Sequence, residues 1–407
     1  MRGAIADANG AFLARELTAL GIEPVRWLVV GDRPDELEAA LREALEADLC
    51  VTCGGLGPTH DDRTVETLAR VTGRSLVLDD GLEQEIEGVA RAVAERLGRP
   101  YTDLATGVRK QATLPEGAVS LGLAGTAPAF VIEHADGRLD VSLPGPPGEL
   151  RRLWPAVLAA PAVQALAART TRPDHRVLRF FSLPEAAVAE AVEEAGGEGD
   201  GLELTVCARN FEIDVDLNVT PGGEARADAV EQALVERFGD ALFTRDERPV
   251  AALVLDRCRE LGLTLATAES CTGGLVAALL TEIPGSSDVF LGSVVAYANE
   301  VKAEALGVPA TVLERHGAVS AETAAAMAAG ARERLGADAA IATTGVAGPG
   351  GGTPEKPVGL VYTAVSGPMG ARVDELRLPG SREEIRTRSA VLSLHSLRRL
   401  LAHSTEE

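Results

Sequence analysis

The sequence predicts an α/β protein with three domains. Its 407 residues exceed the length of one ordinary domain, so a single small module is ruled out. In the first and last thirds, short apolar runs alternate with amphipathic segments of helix length, which is the pattern of βαβ units. Hydrophobic residues make up 46% of the chain but aromatic residues only 3%, so Ala, Leu and Val are expected to fill the cores.

The first domain is predicted to span residues 1–168. A helical pattern with Leu13, Leu17 and Leu20 begins almost at once and ends at Gly21, so the strand that generally opens such a domain is expected to be missing. The elements that follow are predicted strands at 25–30, 49–53, 129–133 and 138–142, and helices at 34–47, 64–72, 82–97 and from the proline-rich segment 143–149 to about 168.

A linker at residues 170–173 leads to a small α+β domain, predicted at 174–246, with three strands and two helices. This region has no catalytic constellation and no basic cluster, which favours a spacer or packing role over binding. The third domain is predicted at 249–403. Its elements are predicted strands at 263–266, 289–296, 339–343 and 359–365, and helices at 250–261, 275–280, 321–335 and 382–401.

The charge balance argues against nucleic-acid binding. The chain has 39 Lys and Arg against 61 Asp and Glu, a net charge of −22, and no polybasic run. Its longest apolar stretches, such as residues 275–280, are far shorter than the roughly 18 residues of a membrane helix, and no apolar signal region opens the chain. We therefore expect a cytoplasmic protein.

Five cysteines do not make a disulfide framework. Cys50 and Cys53 form a C-x-x-C pair that suggests a metal or redox site, but a spacing of three on a strand places the two thiols on opposite faces. Small hydrophobic residues of a core are the favoured interpretation. The histidines have no mutual ligand spacing, so a zinc site is not supported; they are His60, His134, His175, His316, His395 and His403.

The strongest candidate site follows the strand at 263–266, in the segment AESCTGG at residues 268–274. A strand that turns through Ser270, Thr272 and two glycines into a helix is expected to leave unpaired N–H groups aimed at one point, which suits an anion or an oxyanion. The alternative is that Ser270 or Thr272 merely caps the helix. Gly273 and Gly274 favour close approach by a ligand.

Two further segments of this domain are candidates. Lys302 follows the strand at 289–296, where partial desolvation would suit it as a general base toward Ser270, although most lysines at a helix start are solvated. The segment TTGVAGPGGG at residues 343–352 follows another strand and is suited to wrap a phosphate. It lacks the G-K-[ST] of a Walker loop, and a flexible loop is the alternative.

The first domain carries its own candidate, GGLGPTHDD at residues 54–62, between a strand and a helix. Its glycines suit a phosphate, while Asp61 and Asp62 suit Mg²⁺ or another divalent cation. Acidic residues at a helix start are also ordinary partners of the helix dipole. The rigid segment LPGPPGE at residues 143–149 is predicted to form the opposite wall or a simple turn.

Together these segments resemble the CinA family, named for competence and damage induction, over nearly the whole chain. The segments 54–62 and 143–149 are similar to marks of its N-terminal domain, which has the doubly wound fold of molybdopterin-binding proteins. The middle domain is similar to a KH-like insert. The C-terminal resemblance lies in AESCTGG, Tyr297 with Lys302, HGAVS at 316–320 and the glycine-rich segment 344–359.

The resemblance implies that the C-terminal domain is a nicotinamide mononucleotide deamidase. Such an enzyme hydrolyses the carboxamide to give nicotinate mononucleotide and ammonia in pyridine nucleotide recycling, with no cofactor or metal. It makes Ser270 the nucleophile, Lys302 its base and Tyr297 a positioning group. The residues implied in substrate binding are Thr272, Gly273, Gly274, Asn299, Thr344, Gly345, Gly348, Gly351 and Arg382.

N-terminal domains of the family can hydrolyse ADP-ribose with a divalent metal. The site residues implied here are Gly54, Gly55, Gly57, Thr59, Asp61, Asp62 and Glu149, with Asp61 and Asp62 as metal ligands. The chain departs from the family pattern in three places: it begins after the usual first strand and Gly-x-Glu-Leu-Leu-like turn, Gly122 falls near where an Asn is usual and Ala129 replaces a Gly. A start codon further upstream is the alternative explanation of the first departure. These departures count against the second activity.

The resemblance also implies a homodimer that acts on a small nucleotide, with no membrane. The alternative function is a binding or scaffold partner of competence or DNA repair proteins, without catalysis. Because the net charge of −22 disfavours direct contact with DNA, such a role would depend on protein partners.

Overall fold

A computed structural model describes residues 7–402 of the chain. Its residues divide into two compact units, Met1–Asp174 and His175–Glu407. Both mix helices with sheets, so the predicted α/β class is confirmed. The domain boundaries at 168, 174–246 and 249–403 stay predictions, and the last of them ends at His403, outside the described residues. The expected absence of an opening strand concerns the start of the chain, also outside them.

The first unit is built on a four-stranded sheet in the order β1-β6-β5-β4, with β1 parallel to β6 and the other neighbours antiparallel. A separate two-stranded sheet pairs β2 with β3, which lie between β1 and β4 in the sequence. The strands are β1 (Leu49–Cys53), β2 (Leu76–Leu78), β3 (Thr113–Pro115), β4 (Ala118–Leu123), β5 (Pro128–Glu133) and β6 (Leu139–Leu143). The helices are α1 (Ala8–Ala19), α2 (Pro34–Ala44), α3 (Thr64–Thr72), α4 (Asp80–Leu97), α5 (Thr102–Gln111), α6 (Pro147–Ala159) and α7 (Pro161–Ala167).

Two apolar cores cover the two faces of this sheet. One packs α1 and α6 around Trp154, and the other packs α3, α4 and α5 around Leu68 and Ile86. On β1 the side chains alternate as expected, because Cys50 is buried and Cys53 is exposed. Burial raises the pKa of the Cys50 thiol, so the core interpretation of this residue is supported over a reactive pair.

The strand predicted at residues 25–30 is wrong. Residues 25–30 form no strand and pair with no strand among the described residues, and Val25, Trp27 and Val29 are more than half exposed. The β-branched run has strand propensity, but a strand forms only when its backbone N–H and C=O groups find a partner. In this unit the described sheet ends at β1, so the run stays unpaired.

The second unit contains two sheets. The first, in the order β10-β7-β9-β8, is covered by two helices and forms the α+β region that the sequence predicts. Its elements are β7 (Asp174–Phe181), α8 (Glu185–Glu194), β8 (Leu202–Arg209), β9 (Glu212–Val219), α9 (Glu224–Phe238) and β10 (Leu242–Thr244).

The second sheet has five strands in the order β12-β11-β13-β14-β15, with β11 parallel to both of its neighbours. Helices α10, α11 and α15 pack on one face and α14 on the other. The strands are β11 (Leu265–Glu269), β12 (Phe290–Val295), β13 (Ala339–Gly345), β14 (Leu360–Gly367) and β15 (Gly370–Arg377). The helices are α10 (Val250–Leu261), α11 (Leu275–Thr281), α12 (Asn299–Leu306), α13 (Ala310–His316), α14 (Ala321–Leu335) and α15 (Arg382–Ala402).

A buried polar cluster joins α15 to the α+β region. The His395 ring is stacked on Phe181 at 3.7 Å between ring centroids, and its Nε2 lies 2.7 Å from Glu212 Oε1. Arg179 donates to the second oxygen of Glu212 at 2.9 Å. Desolvation lowers the pKa of His395 to about 4, so the ring is neutral at pH 7 and the contact is a hydrogen bond. Within residues 7–402, no helix has the length and apolar character to cross a bilayer.

Candidate functional site

The parallel strands β11, β12 and β13 end at one edge of their sheet, and each is followed by a predicted site segment. Ser270 comes directly after β11, Lys302 lies in α12 after β12, and Thr344 lies near the end of β13. Carboxyl ends of parallel strands form a common crevice in open α/β sheets. The topology therefore collects residues that are 74 positions apart in the sequence.

Ser270 and Lys302 are in direct contact. Lys302 Nζ lies 3.0 Å from Ser270 Oγ, 2.8 Å from Ala296 O and 3.2 Å from Tyr297 O. The lysine is only 1% exposed, and it takes part in no salt bridge with a described residue. Burial lowers its pKa, while Cys271 and Glu300 raise it to a smaller extent.

This geometry fits a neutral amine. A neutral amine has two N–H groups and one lone pair, and the two carbonyl oxygens of Ala296 and Tyr297 can accept the two N–H groups. The lone pair is then free to accept the hydroxyl proton of Ser270. The arrangement can therefore activate a serine oxygen without a histidine.

Several amides at the junction of β11 and α11 are bonded within the chain. Ser270 N donates to Thr343 O, and Gly273 N donates to Ser270 O. The first amides of α11, Val276 N and Ala277 N, donate to the carboxylate of Glu269 at 3.0 and 2.8 Å. The carboxylate of Glu269 thus occupies the amides of Val276 and Ala277, whereas the expectation of unpaired amides within the turn at residues 268–274 stays a prediction.

Gly273 and Gly274 are required by the backbone of the same turn. Their φ angles are +62° and +93°, in the left-handed region that L side chains rarely adopt. Thr272 is fully buried, and its hydroxyl lies 2.7 Å from Glu269 Oε2 and 2.6 Å from Thr343 Oγ1. These three residues thus shape the turn that presents Ser270.

The glycine-rich segment after β13 divides into a packed part and an open part. Thr344 is 1% exposed and its hydroxyl donates to Ala318 O at 2.6 Å. A Cβ at Gly345 would lie 2.7 Å from Leu360 O, and one at Gly348 would lie 2.6 Å from a methyl carbon of Val358. Gly351 has open space around it. Packing therefore explains why the first two positions are glycine, and substrate binding by Gly345, Gly348 and Gly351 stays a prediction.

Three cations are hydrogen-bonded to the predicted site segments, none of them in a salt bridge with a described residue. Arg382 Nη1 donates to Gly348 O at 2.8 Å and its Nη2 to the Tyr297 hydroxyl at 2.9 Å. Arg386 donates to Thr272 O at 2.6 Å, and Lys356 donates to His316 O at 2.7 Å. In a chain of net charge −22, three cations bound only to neutral oxygens form a local attraction for an anion.

Tyr297 and Asn299 line the outer part of the site. Tyr297 is 60% exposed, and its hydroxyl is held by Arg382. Asn299 is exposed at the first position of α12. Cys271 points instead into a small apolar cluster with Ile385 and Val361, and burial raises the pKa of its thiol to about 12.

Two site residues escaped the sequence analysis, Glu269 and Arg386. Arg386 lies four positions after Arg382 on α15, so both occupy one face of the helix. That spacing is a signal the sequence contained. Glu269 offered no such signal, because nothing in the sequence shows that this carboxylate, at a strand end, accepts hydrogen bonds from the first turn of α11.

The first unit brings together its own predicted segments. Gly54 N donates to Leu143 O, and a Cβ at Gly145 would lie 3.3 Å from the Cα of Gly54, so the segments 54–62 and 143–149 are neighbours. Asn9 of α1 donates to Gly145 O at 2.7 Å. Gly54 and Gly55 adopt left-handed φ angles of +94° and +68°. Glu149 packs against the backbone of Gly125.

The acidic pair of this unit is turned toward Thr59. The Thr59 hydroxyl donates to Asp62 at 2.6 Å and contacts Asp61, and its hydrogen bond lowers the pKa of Asp61. Asp62 lies with Gly55, Gly57 and Lys110 along a cavity of about 190 Å³.

Among residues 7–402, no cluster of three or more acidic, histidine or cysteine side chains is placed to hold a metal ion. Asp61 and Asp62 alone would suit only a cation that arrives with substrate phosphates. ADP-ribose hydrolysis therefore stays a prediction.

The chain matches two protein families. Residues 247–401 match the CinA C-terminal domain, and residues 1–165 match the probable molybdopterin binding domain. A CinA-like protein of Mycolicibacterium vanbaalenii is 45% identical over 98% of this chain and 96% of its own length. The CinA-like protein of Mycobacterium tuberculosis strain H37Ra is 42% identical over 99% and 95%.

Solved structures are also similar to part of this chain. The competence/damage inducible protein CihA of Agrobacterium tumefaciens is 43% identical, covering 39% of this chain and 99% of its own, with a TM-score of 0.37. The CinA superfamily protein from Klebsiella pneumoniae 700603 is 33% identical over 38% of this chain, also with a TM-score of 0.37.

Proposed function

Because the chain belongs to the CinA-like protein family, we propose that its C-terminal region is an amidohydrolase that converts nicotinamide mononucleotide to nicotinate mononucleotide and ammonia. The observation that carries this proposal is the contact of 3.0 Å between Lys302 Nζ and Ser270 Oγ, at a lysine that is buried without a counter-ion. A serine activated by a neutral lysine is suited to acyl transfer from a carboxamide.

The reaction begins with the Ser270 hydroxyl. Lys302 Nζ takes its proton while Oγ forms a bond to the carboxamide carbon, giving a tetrahedral intermediate. The protonated Lys302 then gives this proton to the nitrogen as the C–N bond breaks, which releases ammonia and leaves an ester on Ser270. A water molecule gives a proton to Lys302 and attacks the ester carbon. The C–O bond breaks, Ser270 regains a proton, and nicotinate mononucleotide leaves.

The surrounding cations support a nucleotide substrate. Nicotinamide mononucleotide carries a phosphate, and Arg382 and Lys356 use their donors only on backbone or hydroxyl oxygens. An incoming phosphate can replace such neutral acceptors with a stronger, charge-assisted hydrogen bond. The exposed ring of Tyr297, whose hydroxyl accepts from Arg382, supports a contact with the planar pyridine ring of this substrate.

The test is ammonia release from nicotinamide mononucleotide by the full chain. Ser270→Ala removes the nucleophile and Lys302→Ala removes the base, and each should lower kcat by at least about 10³-fold, as expected for members of one catalytic unit. Ser287→Ala, an exposed serine after α11, is the matched control and should retain full activity. Turnover by Ser270→Ala or Lys302→Ala at the wild-type rate would contradict the proposal.

A further inference from the structure

Glu269 is the most completely engaged acidic side chain near Ser270. It ends β11 and has no exposed surface. Its Oε2 accepts from Thr272 Oγ1 at 2.7 Å and from Val276 N at 3.0 Å, and its Oε1 accepts from Ala277 N at 2.8 Å and from Thr267 Oγ1 at 3.3 Å. The carboxylate thus accepts hydrogen bonds from a residue that precedes Ser270 in the sequence and from residues that follow it.

These bonds close the turn that carries Ser270. Glu269 precedes the serine, while Thr272, Val276 and Ala277 follow it, so the carboxylate ties the strand end to the first turn of α11. The turn between them contains two glycines with left-handed φ, which have no side chain to hold them. Among the described residues, the Ser270 side chain forms a hydrogen bond only with Lys302. The backbone of the turn therefore determines where the Ser270 hydroxyl lies.

We infer that Glu269 is a positioning residue for the nucleophile, and that its carboxylate takes the place of an external anion at the start of α11. The inference rests on the proposed function. It also assigns the substrate phosphate to Arg382 and Lys356, whose hydrogen bonds to described residues go only to neutral oxygens, because the amides of Val276 and Ala277 are already occupied.

A charged carboxylate is needed because two of its partners can only donate. Val276 N–H and Ala277 N–H bond to different oxygens of Glu269. Glutamine has the same shape, but whichever way its amide is turned, its NH₂ group faces one of these N–H groups. A donor facing a donor displaces the turn, and a shift of about 1 Å at a reacting atom can lower a rate by about 10²-fold.

The experiment compares Glu269→Gln with the wild-type full chain in two assays. The first measures ammonia release, where kcat should fall roughly 10- to 100-fold with KM changed less than about 3-fold, since the phosphate contacts remain. The second measures the rate at which a fluorophosphonate probe labels Ser270, located by mass spectrometry, and this rate should fall similarly. Glu282→Gln, an exposed acid at the other end of α11, is the matched control and should match the wild type in both.

A second variant separates positioning from folding. Glu269→Ala leaves a space beside two free amides, and formate should restore part of its labelling rate and kcat, whereas chloride at equal ionic strength should not. Wild-type labelling and turnover in Glu269→Gln would overturn the inference, and so would loss of the folded circular dichroism spectrum in both variants. If wild-type protein releases no ammonia, the proposed function fails alone, because the labelling comparison needs no substrate.

Discussion

Asp140 gives a sharp prediction about the stability of the first unit. It lies in β6, faces the core between Cys50 and Ile132 across the sheet, and has no exposed surface. Neither carboxyl oxygen has a hydrogen-bond partner in the described structure. Desolvation raises its pKa from 3.8 to about 7, with Arg74 opposing the shift in part.

The sign of the effect follows from this raised pKa. Between pH 4 and 7 the folded unit holds a proton on Asp140 that the unfolded chain has released, so stability falls as the pH rises through this range. A shift of about 3 pKa units, at 1.36 kcal/mol per unit, corresponds to a loss of about 4 kcal/mol, all of it present above pH 7. The neutral isostere Asp140→Asn should remove this loss.

The assay is urea unfolding followed by tryptophan fluorescence from pH 4.5 to 8.5. Both tryptophans of the chain, Trp27 and Trp154, lie in the first unit, so the signal reports this unit alone. Other groups that titrate in this range are common to both proteins and cancel in the difference. The stability of Asp140→Asn relative to wild type should rise by about 2.6 kcal/mol from pH 5 to pH 8. Asp136→Asn, an exposed acid whose pKa is lowered by Arg138, is the control and should show no such rise.

A difference between Asp140→Asn and wild type that stays constant with pH would refute the reasoning. It would mean that Asp140 is ionised or solvated equally in the folded and unfolded chains. A wild-type stability that rises steadily from pH 5 to 8 while the variant's does not would reverse the sign and refute it as well.

Two further predictions concern single groups. Because Lys302 must be neutral to accept the Ser270 proton and burial lowers its pKa below 10.5, kcat/KM for ammonia release should rise with pH and level off below 10.5, and a rate that falls from pH 6 to 9 would contradict this. Of the five thiols, the exposed Cys53 and the half-buried Cys207 should react with a thiol reagent in the folded chain. The buried thiols of Cys50, Cys258 and Cys271 should react only in denaturant, which peptide mass mapping can check. Rapid labelling of Cys50 in the folded chain would show that its strand is not buried.

Local patterns predicted many elements well. The strand Leu49–Cys53 and the helices Thr64–Thr72, Val250–Leu261 and Ala321–Leu335 have the bounds read from the sequence. Each has a clear period of apolar residues, and the helices end at a glycine in the left-handed conformation, so short-range information is sufficient.

The errors arise where the outcome depends on distant partners. The apolar run at 25–30 has the composition of a strand but no pairing partner among the described residues. Helix α5 and strand β15 were missed, because their apolar residues are few and β15 is an exposed edge strand. Whether such a segment joins a sheet is decided by hydrogen bonds to other elements.

The sequence by itself determined the α/β class, the position of most elements and the segments in which candidate chemistry lies. It also made Ser270 and Lys302 a plausible pair through family resemblance. Only the tertiary structure decided that the two side chains meet with no ion pair to a described residue, that Glu269 occupies the amides of Val276 and Ala277, and that Arg386 contacts the turn at Thr272. The physical reason is that burial, pKa and hydrogen-bond occupancy depend on which groups meet in space, and the register of β11, β12 and β13 brings these groups together from segments far apart in the chain.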